Sequence, residues 1–470
     1  MFERYRVIHF VGIGGIGMSG IAELLHNLGY EVTGSDLRES EATTRLRVLG
    51  IKVHIGHRAE NIDDAHVLVV SSAVAGKNPE VSEARRRSIP VIPRAEMLAE
   101  LTNLVGNLKY RILVAGAHGK TTTTSLIATV LAQNALDPTV VIGGKLKALG
   151  SNTRLGTGEF LVAEADESDG SFLKLSPTIS VVTNIDREHM DFFRTMESLK
   201  EAFLAFINKV PFYGTSVICI ENKHLRELLP FVERRYLAYG LTRKAELYAE
   251  NIRKGFMSVT FDAVYKGLQL GNFELPVPGF HNVLNSLATI GVALVLNLDI
   301  ALVKDALRGF SGIQRRLEFK GEAGGIKIYD DYGHHPTEIR ATLKAIREGL
   351  FSGKRRHGRL VVLFQPHRYT RTKDLMDEFA VSFHAADMLL LLEIYPAGEK
   401  PVRGVSTMKL CRKIRGAGQR NILYLRDREQ AIAYGLEQCK EGDILLTLGA
   451  GNVWQTGEEL LRKLQEKNEG

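Results

Sequence analysis

A chain of 470 residues is too long for one hydrophobic core, because single cores stop growing at roughly 250 to 300 residues, so two or three domains are expected. A composition of 44% hydrophobic and 24% charged residues excludes a disordered or low-complexity chain, and a net charge of +7 over this length argues against a nucleic-acid-binding stripe. Three cysteines, Cys219, Cys411 and Cys439, lack the paired spacing of disulfide frameworks or metal sites and fit a reducing compartment.

Residues 1–6 run straight into a strand-like stretch at 7–11 without a signal-peptide core, and no later stretch reaches membrane-spanning length. The cytoplasm is therefore the expected location, with no membrane or nucleic-acid partner. Apolar runs at 7–11, 31–34 and 66–70, with a helical pattern at 19–28, have the rhythm of a parallel sheet with crossover helices. A turn-rich stretch at 88–93 leads into an amphipathic segment ending near Gly106. A second alternation starts at 111–115, passes through a glycine-containing loop into a helix at 122–132, and continues with buried-strand candidates at 140–142, 159–163 and 179–183. After Gly309 a third α/β unit is expected from strand-like runs at 326–329, 360–364, 388–392 and 444–447. The densest basic run, Lys354-Arg355-Arg356-His357-Gly358-Arg359, is either a solvated loop or part of an anionic substrate site.

Gly116-Ala117-His118-Gly119-Lys120-Thr121-Thr122 lies between a strand and a helix, where glycines let backbone N–H groups converge on phosphate oxygens and the helix N-terminus adds a favourable dipole. Lys120 suits the β- and γ-phosphates and the Thr121 hydroxyl suits Mg²⁺. The loop is shorter than the usual Walker form: Ala115 stands where a glycine belongs, so Gly116 must serve the turn. Hard cations favour carboxylates, and Glu164 follows a strand at its carboxyl end with Asp166, Glu167 and Asp169 beside it. Carboxylates this crowded repel unless a cation relieves them. Asn184-Ile185-Asp186-Arg187-Glu188-His189 follows another buried strand, which makes His189 a metal or phosphate candidate.

Gly12-Ile13-Gly14-Gly15-Ile16-Gly17 forms a G-x-G-x-x-G turn after the first strand, and Asp36 ends the next strand-like segment where a ribose-binding acid belongs. A dinucleotide such as NAD fits this turn; a UDP-linked substrate fits equally well, since the glycines read a diphosphate rather than a nicotinamide. Ser71 and Ser72 supply hydroxyls at the same sheet edge.

Seven ordered blocks resemble the Mur ligases of bacterial peptidoglycan synthesis almost end to end. They run from His9 to Ser19, Gly116 to Thr123, Glu164 to Asp169, Thr183 to Asp191, Pro278 to Asn285, Asp330 to Pro336 and Phe364 to Arg371. Within the family, the run Gly12 to Met18 and the block Gln365 to Arg371 favour the members that add the first amino acid. Two positions depart from the family habit: Ala117 stands for a threonine and Gly333 for an alanine.

The resemblance implies three α/β domains: a Rossmann-like UDP-substrate domain (1–107), a central P-loop ATPase-type parallel sheet (108–317) and a Rossmann-like amino-acid-binding domain (318–470). It implies that Gly14, Gly15, Gly17, Met18 and Ser72 hold a UDP-sugar rather than NAD. It further implies ATP and Mg²⁺ as cofactors, with UDP-N-acetylmuramate and L-alanine as substrates, joined through an acyl phosphate. Nucleotide contacts then fall to residues 116–122 and to His281, Asn282, Asn285 and Arg316, although the first three also read as an ordinary polar helix start. Metal contacts fall to Thr121, Glu164 and His189, and catalytic contacts to Lys120, Glu164, His189, His335, His367, Arg368 and Arg371. The last three read as cationic groups at a sheet edge, with Asp330, Tyr332 and His334 as further candidates. A monomer or weak homodimer is expected. An NAD-dependent oxidoreductase would leave the phosphate loop and the Glu164 cluster without a role, and a non-catalytic regulator would need the third domain's basic edge for a partner.

Overall fold

The computed structural model describes residues 6–469 apart from 72–73, 75–76, 105–107, 147–150, 256 and 351–357. The chain divides into two compact units, one of Met1–Ile252, Thr260–Pro276 and His281–Ser311, the other of Arg253–Val259, Val277–Phe280 and Gly312–Gly470.

In the first unit, five parallel strands stand in the order Lys52–Ile55, Glu31–Asp36, Val7–Val11, Val67–Val70, Val91–Pro93. The order reverses on either side of Val7–Val11, and a crevice at such a switch point is where open α/β sheets bind ligands. Residues 91–93, read from sequence as turn, instead pair in parallel with Leu68 to Val70. Prolines at positions 90 and 93 obscured this edge strand, a place where a lost N–H is tolerated.

The same unit holds a ten-stranded sheet whose parallel centre is Thr215–Cys219, Ile179–Val182, Tyr110–Ala115, Phe160–Glu164 and Thr139–Leu146. These strands are near-continuous apolar runs because both faces are covered; Ile112, Val114, Val162 and Val181 are all fully buried. The helix Lys120–Gln133 is buried around most of its circumference. Ser151–Arg154 joins antiparallel at one edge, while Tyr236–Gly240, Leu247–Lys254, Val259–Tyr265 and Leu268–Leu275 extend the other.

The second unit has six strands ordered Glu318–Ala323, Ile326–Asp331, Ile444–Leu448, Leu360–Phe364, Met388–Leu391, Ile422–Tyr424, parallel except for the first pair. Alternate residues feed two cores, Val362, Phe364 and Leu446 on one face and Val361, Leu363 and Leu445 on the other, as the two-residue period of a strand dictates. Among the described residues no helix is long and apolar enough to cross a membrane.

Candidate active site

The strand Tyr110–Ala115 delivers the chain into a turn at Gly116 (φ +137°), and Gly119 (φ +83°) caps the helix Lys120–Gln133. Only glycine adopts such values without strain. The helix therefore begins at Lys120 rather than 122, placing the ammonium and the Thr121 hydroxyl in its first turn. The neighbouring strand's exit anchors the loop: Thr183 Oγ1 and Asn184 Nδ2 donate to the His118 carbonyl at 2.6 and 2.9 Å, and Asn184 Oδ1 accepts from His118 N at 2.9 Å. The His118 ring nitrogen Nε2 lies 2.9 Å from Asp186.

Lys120 Nζ donates to the Gly116 carbonyl at 2.6 Å and to both Glu167 oxygens at 2.9 Å. Burial alone would discharge it, but the Glu167 and Asp166 carboxylates hold its pKa above the ordinary lysine value. Asp166 in turn pairs with Arg94 at 2.9 Å. Burial opposes its charge too, yet Lys120 and Arg94 keep its carboxyl well below the usual range.

Glu164, the last residue of its strand, accepts from Gly143 N at 2.7 Å. The acids gathered near His189 are Glu167 and Glu188; one ligand atom from each of the three lies within 4.8 Å of the others. His189 caps the short helix Met190–Phe193 with φ +57°. Glu164 is not in that group. His281, Asn282 and Asn285 occupy the first turns of the helix Phe280–Val295. Asn285 accepts from Thr123 Oγ1 at 3.2 Å and donates to Asn282 at 3.1 Å, so of the three polar residues Asn285 is the one packed against the start of the helix Lys120–Gln133.

At the N-terminal turn, Gly12 and Ile13 donate to the Ser35 carbonyl at 2.8 and 2.9 Å, and Gly14 N donates to Asp36 Oδ2 at 2.9 Å. Asp36, expected at a ribose, is thus engaged by the turn itself. Gly15 and Gly17 flank the start of the helix Ile16–Asn27, and Met18 is buried within it. A cleft of about 270 Å³ opens beside this sheet edge, lined by Ser71, Arg85, Pro93, Arg94 and Asp169 among others. Ser72, and residues 354–357 of the basic run, fall outside the described residues; Arg359 pairs with Asp443 at 2.6 Å.

In the second unit, Arg315 donates to Asp330 at 2.9 Å and to the Gly449 carbonyl at 2.6 Å. Arg316 lies 3.5 Å from Glu338, whose other oxygen accepts from the backbone of His334 and of the buried His335. Asp331 accepts from Leu317 N and Gly333 N, both at 2.8 Å, and burial pushes its carboxyl up to about 6 against the pull of Arg316. His367 stacks on Tyr395, and Arg368 donates to Glu399 at 2.6 Å. His367 is not the cation expected from sequence: burial first, then His334, Arg371, Arg368 and Arg315, drive its pKa to about 3.

Sequence reasoning passed over Arg94, Tyr395 and Glu399, and noted Glu167 and Glu188 only as members of acidic stretches. Tyr395 and Glu399 follow the strand Met388–Leu391, parallel neighbour of Leu360–Phe364. Adjacent carboxyl ends of parallel strands share an edge, and that was the signal available.

Three family profiles match in order: the Mur ligase family, catalytic domain, over residues 7–105; the Mur ligase middle domain over 114–293; and the Mur ligase, glutamate ligase domain over 315–451. The sequence is 55% identical over 466 residues to a UDP-N-acetylmuramate–L-alanine ligase from Geotalea daltonii, covering 99% of this chain and 100% of that one. A ligase of the same name from Geobacter sp. (strain M21) is 54% identical over 469 residues, covering 100% of both. The crystal structure of a UDP-N-acetylmuramate-alanine ligase from Thermotoga maritima aligns with a TM-score of 0.84 at 29% identity, over 98% of this chain and 99% of that one. With a phosphate loop built as described and similarity running end to end, the chain belongs to the Mur ligase family.

Proposed function

We propose that this ATP-dependent Mur ligase joins L-alanine to the lactyl carboxylate of UDP-N-acetylmuramate, as a cytoplasmic step of peptidoglycan precursor synthesis. The observation that carries this reading is the Lys120 ammonium, held between the Gly116 carbonyl and the Glu167 carboxylate at the head of a strand–loop–helix. Its support is the name shared by full-length relatives at 54–55% identity.

A carboxylate is a poor acyl donor until phosphorylated. In the first step a lactyl oxygen bonds to the γ-phosphorus and the bond to ADP breaks. In the second the alanine amine bonds to the acyl carbon, phosphate departs, and the amine gives up its proton. Lys120 exchanges Glu167 for phosphate oxygens and follows the charge on the moving phosphoryl group. The donor set of Thr121, Glu164, Glu167, Glu188 and His189 is dominated by hard oxygen and suits Mg²⁺. When bound, that ion supplies charge neutralisation and Lewis acidity. Residues 116–122, His281, Asn282, Asn285 and Arg316 hold the nucleotide, while Gly14, Gly15, Gly17, Met18 and Ser72 hold the UDP-substrate. His335, His367, Arg368 and Arg371 serve the amino acid. Domain boundaries are placed at 107/108 and 317/318, and the enzyme is a monomer or weak homodimer.

The test is release of ADP and phosphate with UDP-N-acetylmuramate, L-alanine, ATP and Mg²⁺, omitting each in turn. Release should require all four and fall when glycine, L-serine or a peptide replaces L-alanine. Release indifferent to both substrates would sink the ligase reading.

A further inference from the structure

The N-terminal glycine turn is held by a buried carboxylate that no step of the reaction uses. Ser35, fully buried in the strand Glu31–Asp36, stands opposite Val11 in the ladder, and its carbonyl takes both the Gly12 and Ile13 amides, at 2.8 and 2.9 Å. Two consecutive amides on one acceptor draw the chain out of the strand, with Gly12 at φ +81°. Asp36, the next residue, is tied twice: its carbonyl accepts from Gly56 N at 2.8 Å and its Oδ2 from Gly14 N at 2.9 Å. The shape of the turn therefore depends on where residues 35, 36 and 56 stand.

Glu80 fixes that frame. It lies in the first turn of the helix Pro79–Arg86, where the helix dipole favours an anion, and it is wholly buried. Its Oε2 accepts from Ser35 Oγ at 2.6 Å. Its Oε1 accepts from Asn61 Nδ2 at 2.5 Å and from Arg58 N at 3.3 Å, and the same Asn61 nitrogen donates to the Gly56 carbonyl at 3.0 Å. The Ser35 hydroxyl proton is spent on Glu80, so Ser35 Oγ can only accept from His57 Nδ1, which lies 2.9 Å from it and 3.2 Å from Glu80 Oε2. From the central strand, the buried His9 faces the same oxygen at 3.9 Å. Burial opposes the charge on Glu80, yet His9, Ser35 and Asn61 hold its carboxyl at about 2. A buried polar network with its acceptors satisfied is rigid, and this one joins the exits of the strands Glu31–Asp36 and Lys52–Ile55.

Resting on the UDP-substrate reading above, we propose that Glu80 is a positioning residue for the nucleoside diphosphate: through Ser35 and Asn61 it sets the two strand exits that shape the Gly12–Gly15 turn before substrate arrives. It touches no substrate and leaves the chemistry at Lys120 alone. Without it, part of the binding free energy goes into ordering the turn. If the ordered turn is populated in about one molecule in ten to about one in a hundred, affinity falls about 10- to 100-fold.

Kinetics and equilibrium binding test this. Glu80→Gln should raise KM for UDP-N-acetylmuramate, and Kd for UDP by isothermal titration, about 10- to 100-fold, with kcat and KM for ATP and L-alanine within about twofold of wild type. Ser35→Ala deletes one contact but leaves the carboxylate with Asn61, Arg58 N and His57. It should show the same split at about 3- to 10-fold, the worth of one hydrogen bond, and it decides the matter should Glu80→Gln fail to fold. A merely structural role would lower kcat through a smaller folded fraction at unchanged KM, and that pattern overturns the proposal, as does a wild-type Kd for UDP in the folded variants. Without any ligand, hydrogen exchange at the Gly12 and Ile13 amides should quicken in both variants while Val67–Val70 stays protected. Unchanged exchange at those two amides overturns the proposal whatever the substrate. A wild-type enzyme that binds no UDP would instead count against the UDP-substrate reading, leaving Glu80 to be judged by the two amides.

Discussion

Lys120→Met separates what the phosphate-loop ammonium does for the fold from what it does for the reaction. The Glu167 side chain is only 2% exposed, and both its oxygens lie 2.9 Å from Nζ. Deleting the ammonium strands that carboxylate beside Asp166 and Glu188. Removing one partner of a buried pair costs about 3–5 kcal/mol. Lys120 itself is 16% exposed, so water relieves part of the cost and the lower end, about 3 kcal/mol, is expected. The stranded carboxylate can escape by binding a proton, so its folded-state pKa lies above the unfolded value of about 4.3. A raised carboxylate pKa means that stability is lost as pH climbs through it. The variant should therefore match wild type near about pH 5 and weaken toward about pH 8. Adding Glu167→Gln removes the stranded charge and should restore most of the stability, while neither single nor double variant turns over. A chain of several domains does not unfold in one two-state step, so the readout is hydrogen exchange in Phe160–Glu164 and Lys120–Gln133. There about 3 kcal/mol corresponds to about 100-fold faster exchange at high pH. Unchanged exchange in Lys120→Met, or no recovery on adding Glu167→Gln, would refute the argument.

Glu164→Ala should lower kcat by about 10²–10³ while changing nucleotide affinity far less, because its carboxylate is anchored to Gly143 N and not to the phosphate loop; isothermal titration with an ATP analogue, set beside turnover, checks this. Glu80 is fully buried, and although burial opposes its charge, contacts from His9, Ser35 and Asn61 depress its carboxyl to about 2. A depressed carboxyl stabilises above its unfolded pKa and loses that contribution as pH falls from about 4.5 toward 2; at 1.36 kcal/mol per unit this is about 3 kcal/mol. Hydrogen exchange in Val7–Val11 and Glu31–Asp36 should accelerate across that window, and Glu80→Gln should show the loss already at neutral pH. Exchange in these strands that ignores both changes would remove Glu80 from the account.

The parts of this fold that were legible in the sequence are those with local causes. Runs such as Leu360–Phe364 are apolar because both sheet faces are covered, and that strand's bounds agree with the sequence reading. Ser151–Arg154 is a polar edge strand with no such run and was not foreseen. In the site, residue types were visible but their pairings were not. Glu164 and Glu167 sit three residues apart in one acidic stretch, yet one binds Gly143 N and the other Lys120. His367 read as a cation because a sequence does not display the burial that, more than its charged neighbours, discharges it.

The two glycine-rich turns sharpen this point. A Cβ at Gly14 would stand 2.9 Å from Asp36 Oδ2, and at Gly119 2.7 Å from Asn285 Oδ1; at Gly17 it would overlap the Arg94 guanidinium and at Gly116 the Thr183 hydroxyl. Each of these four glycines thus clears room for a polar neighbour within the protein. The pattern alone could not separate a UDP-sugar site from a dinucleotide site, because packing accounts for the same glycines. The name shared by the full-length relatives, rather than the turn, favours the UDP-linked substrate. Asp36 Oδ2 accepts from Gly14 N at 2.9 Å. Arg94 lies across the first turn of Ile16–Asn27 and pairs with Asp166, the acid next to the partner of Lys120. That cation gives the N-terminal turn a charged connection to the phosphate loop.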